Sequence, residues 1–237
     1  MTLDSAHAPV TAPASESTYL TVKGQRTRDA IVASAATLIH ARGVSATTLG
    51  DVRRVAKVSS SQLYHYFVDK QDLVRAVVDR QAEAVVESQQ TMDLSTLDAF
   101  RQWRTTMVAD EEARYGRGGC PLGSLGADLA ETDPVGRERV AVGFQRWAQV
   151  IEIGLDRMQG DGELPQSSDT HRLAVGILAA LQGGLLIGQV ERSAAALDAA
   201  LSNTIDLLEA LSRQAGNDSP AERYRAASAF PLSIAGD

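Results

Sequence analysis

A single cysteine, Cys120, in 237 residues leaves no intrachain disulfide to form and suits a reducing compartment. Histidines are few as well, His7, His40, His65 and His171, and His171, at a helix start, has no metal-ligand partner four residues on. There is no paired-cysteine zinc pattern, no glycine-rich phosphate loop and no serine nucleophile elbow. The expectation is a protein without metal or cofactor that is not an enzyme. No run approaches the roughly 18 apolar residues of a membrane span. Met1 to Glu16 has neither a basic start nor an apolar stretch, so no secretory signal is visible. A cytoplasmic location without a membrane partner is expected. Strand-like alternation and internal repeats are missing too, which leaves helices.

What is present agrees. Hydrophobic content of 44% with only 5% aromatics, much of it Ala and Leu, fits an all-α protein with a substantial core. The net charge of −7 is unevenly spread. Between Lys23 and Lys70, eight basic residues (Lys23, Arg26, Arg28, Arg42, Arg53, Arg54, Lys57 and Lys70) oppose Asp29, Asp51 and Asp69. That segment carries +5 and the remainder −12, a basic face on an acidic body that attracts a polyanion at one end only.

Residues 47–67 read as two short helices joined by a tight turn. Thr48 with Asp51 makes a capping box for the first, and Ser59 with Gln62 makes another for the second. Asp69 with Asp72 marks the start of a third, longer helix to about Gln90. Leu49, Val52, Val55 and Ala56 form an apolar stripe that Val58 and Leu63 can cover. The second helix, rimmed with Ser, Gln, Tyr and His and free of acidic residues, suits the major groove of DNA. Ser60, Ser61, Gln62 and His65 are expected on its reading side, with Gln62 able to pair with adenine, and Ser59 is expected among the DNA-binding residues. Thr47, Thr48, Tyr64 and Lys70 are expected at phosphates, which set the register. Tyr66 and Phe67 are expected to pack the domain.

Residues 26–73 resemble the DNA-binding domain of the TetR family of bacterial transcription regulators. The resemblance is carried by Ala41-Arg42-Gly43, Thr47-Thr48, Val52, Ala56, Val58-Ser59, Leu63-Tyr64-His65-Tyr66-Phe67, Lys70 and Leu73. The family usually has glycine in the turn, where this chain has Lys57, and a small residue where it has Arg53. Lys57 is therefore expected in a strained left-handed conformation, and Arg53 is expected to turn out of the helix–helix contact. The resemblance implies a homodimer on a palindromic double-stranded DNA operator, with a small-molecule effector in the C-terminal body.

The chain divides into a disordered tail at 1–22, a helix-turn-helix domain at 23–70, an effector and dimerisation domain at 71–214, and a flexible tail at 215–237. The first helix is expected from about Gln25 to Arg42 over Ile31, Ala35, Leu38 and Ile39, stopped by Gly43. His40 is expected to help satisfy its last carbonyls. Ser95 with Asp98 should cap a helix through Leu97, Phe100, Arg104 and Met107, broken at Gly116 to Gly119. A short helix should follow from Pro121 to Glu131. Asp133-Pro134 should then open a long one, ending near Gly160. Helices at about Ser168 to Val190 and Ser193 to Arg213 bring the total to about nine.

Interior glycines in the penultimate helix cost about 1 kcal/mol each relative to Ala, so close helix packing is expected there. The last two helices are expected to form a four-helix bundle with a second subunit, with Gly184 at the crossing. Phe100, Trp103, Met107, Leu125, Phe144, Trp147, Ile151 and Leu178, with Cys120, Arg104 and Gln182, are expected around an apolar effector cavity. Arg117 to Leu125 resembles a Gly-Cys-Pro/Leu segment of TetR-like effector domains called LmrA/YxaF-like, a likeness covering about residues 115–150. The alternative is control by thiol oxidation at Cys120, or by a partner protein.

Overall fold

The computed structural model describes residues 20–217, so the expected tails lie outside the described residues except at 20–22 and 215–217. Nine helices make up the described residues: α1 Val22–Arg42, α2 Leu49–Ala56, α3 Ser60–Tyr66, α4 Lys70–Gln90, α5 Leu97–Ala113, α6 Pro121–Leu129, α7 Pro134–Gly160, α8 Thr170–Glu191 and α9 Ala195–Asn217. The all-α class and the two-part plan are as read. The first helix starts earlier than expected, because the Thr21 hydroxyl accepts from the Gly24 amide at 3.1 Å.

Both expected capping boxes form. The Thr48 hydroxyl accepts from the Asp51 amide at 3.2 Å, and the Asp51 carboxylate accepts from the Thr48 amide at 3.3 Å. Ser59 and Gln62 repeat the exchange at 3.1 and 2.9 Å. Hydrogen bonds from the Thr48 hydroxyl, and next from its amide, hold the Asp51 carboxyl down at about 2, with Arg42 and Arg54 acting the same way. Between the boxes, Lys57 is left-handed at φ 55°, ψ 42°, and Arg53 is exposed. A left-handed non-glycine residue costs roughly 1–2 kcal/mol, of which glycine's greater chain entropy cancels about half. Lys57→Gly should therefore raise stability by about 0.5 kcal/mol, read as a higher urea midpoint at constant slope.

The head has its own core of Ile31, Ala35, Ile39, Val52, Leu63 and Phe67, all nearly solvent-free. That core does not stop at the domain boundary. It runs through Leu73, Val74 and Val77 of α4 into Leu122, Ile151, Leu155, Leu181 and Leu201 of the body as one apolar cluster. Helix α4 packs on α1 at one end and along α7 over much of its length. Two helix starts depart from expectation. Thr96, not Ser95, caps α5, accepting from the Ala99 amide at 3.1 Å, while Asp98 turns to Arg101. Asp133 occupies the cap of α7, but its carboxylate takes a two-pronged bond from Arg75 of α4 at 2.9 and 2.8 Å.

Helix α8 is long and apolar enough to cross a membrane by length and composition alone. Its apolarity has another use here: Ala174, Ile177, Leu181 and Leu185 are buried between α7 and α9. Gly184 is at a helix crossing, but the crossing is within the chain. A Cβ added there would meet the Leu197 Cα of α9 at 2.6 Å, which corrects its placement between subunits. Gly176 and Gly183 face open space instead.

Candidate functional site

Helix α3 presents Ser60, Ser61, Gln62, Tyr64 and His65 to solvent, while Leu63 and Phe67 lie beneath it at 1% exposure each. The Gln62 carbonyl oxygen is half-engaged by the Ser59 amide, leaving one lone pair and both amide hydrogens for a base edge. Ser59 is committed to the cap, and its hydroxyl also meets that of Ser61 at 3.0 Å. Tyr64 stands 58% exposed beside the reading face. Phe67 anchors the domain with the Arg28 guanidinium over its ring at 5.3 Å.

The residues expected at phosphates separate. Thr48 is exposed at the start of α2, where amides of the first helical turn face outward. Lys70 lies at the first turn of α4 with its ammonium 3.4 Å from the Ser45 carbonyl. Thr47 does not belong with them. It is 2% exposed, and its hydroxyl donates to the Gly43 carbonyl at 2.9 Å, so it shapes the turn leading into α2.

The body contains two cavities of interest. A groove of about 610 Å³ lies among α6, α7 and α8, lined by Cys120, Phe144, Leu178, Leu185, Gln182 and Asp128 among others. A cleft of about 200 Å³ lies among α4, α5, α7 and α8, lined by Val85, Gln89, Met107, Trp147, Leu181 and Leu185. Leu185 is common to both. Of the side chains expected around one cavity, Cys120, Phe144, Leu178 and Gln182 line the groove, and Met107 and Trp147 the cleft. Leu125 lines a third space, against α1. Phe100 and Ile151 are 0% exposed and Trp103 2%, which makes them core rather than wall. Arg104 is also corrected: it ties α5 to α9 through Asp198 and the Ser202 hydroxyl.

Sequence reasoning missed the small residues that leave the groove open, Gly123, Ala127 and Ala179, and it missed Asp128. The Asp128 carboxylate accepts from the Val44 amide at 2.8 Å, linking the groove wall to the loop that enters α2. Cys120 is the N-cap of α6, 8% exposed, with its sulfur accepting from the Gly123 amide at 3.3 Å. His40 stands against Gly118, where a Cβ would lie 2.8 Å from its Nε2. His171 is exposed and bonds Glu152 at 3.0 Å, which raises its pKa. Among the described residues, no three His, Cys, Asp or Glu side chains gather closely enough to hold a metal ion.

Comparison with known proteins agrees with this geometry. Residues 31–77 match the profile described as bacterial regulatory proteins, tetR family, and residues 94–204 that of the tetracyclin repressor-like C-terminal domain. An uncharacterised helix-turn-helix transcriptional regulator of Mycobacterium tuberculosis H37Rv is 31% identical over 182 residues, covering 73% of this chain and 90% of that protein. The transcriptional repressor DhaR of Mycobacterium sp. strain GP1 is 24% identical over 75% of this chain and 90% of its own length. The crystal structure of a TetR regulatory protein from Rhodobacter sphaeroides superposes with a TM-score of 0.68 at 18% identity, covering 76% of this chain and 97% of that one. With a basic reading head, a helical body and these matches, the chain belongs to the tetR family of bacterial transcriptional regulators, which bind DNA through this helix-turn-helix.

Proposed function

We propose that the protein is a homodimeric, cytoplasmic repressor that holds a palindromic operator and releases it when a small apolar molecule occupies the body. The observation that carries this reading is Asp128. One carboxylate both lines the 610 Å³ groove and holds the Val44 amide at the entrance to the reading head. A ligand that displaces α6 therefore acts on the loop that leads into α2, and α4 offers a second route through the shared core. The ligand must favour the non-binding conformation, and couplings of this kind are typically about 1–3 kcal/mol. Support for a dimer comes from α8, which buries Ala174, Ile177, Leu181 and Leu185 on one side and leaves Val175, Leu186, Ile187 and Val190 exposed. An apolar stripe of this kind suits a two-fold partner.

Selection of fragmented genomic DNA by the purified protein tests the reading. Retained fragments should share an inverted repeat with half-sites about 34 Å apart centre to centre. Lys70→Ala should weaken all duplexes alike and reduce the salt slope by about 1. Gln62→Ala should instead flatten preference at one base pair of each half-site. Equal loss of specificity from both changes would contradict this division of contacts. No enrichment at low salt would remove the repressor reading altogether.

A further inference from the structure

The body contains two tryptophans that the fold treats differently. The Trp103 indole N–H donates to the Gln89 side-chain carbonyl at 2.9 Å, fully inside the protein. Trp147 is equally secluded at 4% exposure, yet its indole N–H finds no acceptor in the protein. Buried indoles are ordinarily given a partner, and an unsatisfied buried donor is costly. The exception coincides with a cavity, since Trp147 is part of the wall of the 200 Å³ cleft. Across the shared Leu185, the groove repeats the pattern: the Gln182 amide nitrogen is also without an acceptor. Both unused groups are donors.

One charged residue lines each cavity. Arg114, the one charged residue at the cleft, is 53% exposed at its side chain and bonds Glu111 at 3.0 Å. No carboxylate lines the cleft, and at the groove Asp128 is held by the Val44 amide. Val85, Met107, Leu181 and Leu185 supply the rest of the cleft wall with apolar surface. The cleft therefore holds no anion for an ammonium ion, and its one cation is already paired with Glu111.

We infer, resting on the effector reading above, that the ligand is a neutral, compact, largely apolar molecule with a carbonyl or similar acceptor, selected by the Trp147 N–H. Helix α4 contributes Val85 and Gln89 to the cleft and begins at the reading head, so occupation bears on the helix that carries the head.

Three near-isosteric single-ring probes test this on the full chain: acetophenone, ethylbenzene and 1-phenylethylamine. With only two tryptophans, the protein gives two indole N–H signals in a nitrogen-15 correlation spectrum. Acetophenone should move one of them downfield, the one absent from Trp147→Phe, and leave that of Trp103 in place. It should bind roughly fivefold more tightly than ethylbenzene, as one added hydrogen bond provides, and the amine should bind least. In Trp147→Phe the preference for ketone over hydrocarbon should disappear. Should that variant fail to fold, the downfield shift in the parent, identified with Trp103→Phe, decides instead. Equal binding of ketone and hydrocarbon, an unmoved indole signal, or no binding at millimolar probe would each overturn the inference. A ketone preference lost with Trp147, without any change in operator affinity, would uphold the ligand class and sink the effector reading alone.

Discussion

Gly184→Leu is expected to destabilise each subunit by about 3 kcal/mol or more, because the new side chain collides with backbone rather than with a movable side chain. The Leu197 Cα stands 2.6 Å from where the Cβ would be, and its amide nitrogen 3.2 Å away. Relief requires α8 and α9 to separate, and Leu181, Leu185, Leu197 and Leu201 would lose contact as they do. For a chain of this size the melting temperature should fall by roughly 6–12 °C. Gly183→Leu is the control. One position earlier on the same helix, it meets nothing within 4 Å and lies along the exposed stripe through Ala179 and Leu186. It should leave the subunit as stable as the parent, or slightly more so, since Leu is the better helix former. If a second copy covers that stripe, Gly183→Leu should instead shift sedimentation toward monomer. Equal stability losses for both variants would mean that the α8–α9 crossing is looser than described.

That pair also marks where sequence reading reached its end. The glycines of α8 announce a close approach, but spacing alone does not distinguish a neighbour within the chain from one in another subunit. The head was legible because its signals are local. Thr48 with Asp51 and Ser59 with Gln62 are contacts three residues apart, and a chain forms them wherever the helix begins. At residues 95–96 two adjacent hydroxyls compete for one cap, and the choice is tertiary. Thr96 caps α5 where Leu94 is buried at 3% exposure and the Leu97 amide bonds Glu163 at 3.3 Å. The cavities were the least legible part. Large side chains such as Phe100 and Ile151 were natural choices for walls, yet they are large enough to reach their neighbours and so fill space. The groove exists where Gly123, Ala127 and Ala179 stop short, and absent volume leaves no periodic mark on a sequence.

Asp133→Asn should be the most damaging polar change in the body, at about 2 kcal/mol near neutral pH. Removing one partner of a buried ion pair costs roughly 3–5 kcal/mol, and here the Arg75 side chain, 27% exposed, can recover part of its hydration. The Arg75 guanidinium, followed by its opposing burial, sets the Asp133 pKa below the ordinary carboxylate value. A depressed native pKa adds stability that is fully present above the unfolded value of about 4 and lost as pH falls through the native one. The asparagine variant lacks that ionisation. Its deficit relative to the parent should therefore be constant through the neutral range and shrink as pH drops below about 4. Urea midpoints across that range would measure it, and a deficit that stays constant into acid would show that the carboxylate charge is not what matters. The fork geometry gives a second check. Arg75 reaches both carboxylate oxygens, whereas a lysine offers a point charge, so Arg75→Lys should restore the sign of the pH dependence but only part of the stability. Because this clamp joins the first turns of α4 to the start of α7, both variants should also loosen the base on which the reading head is set.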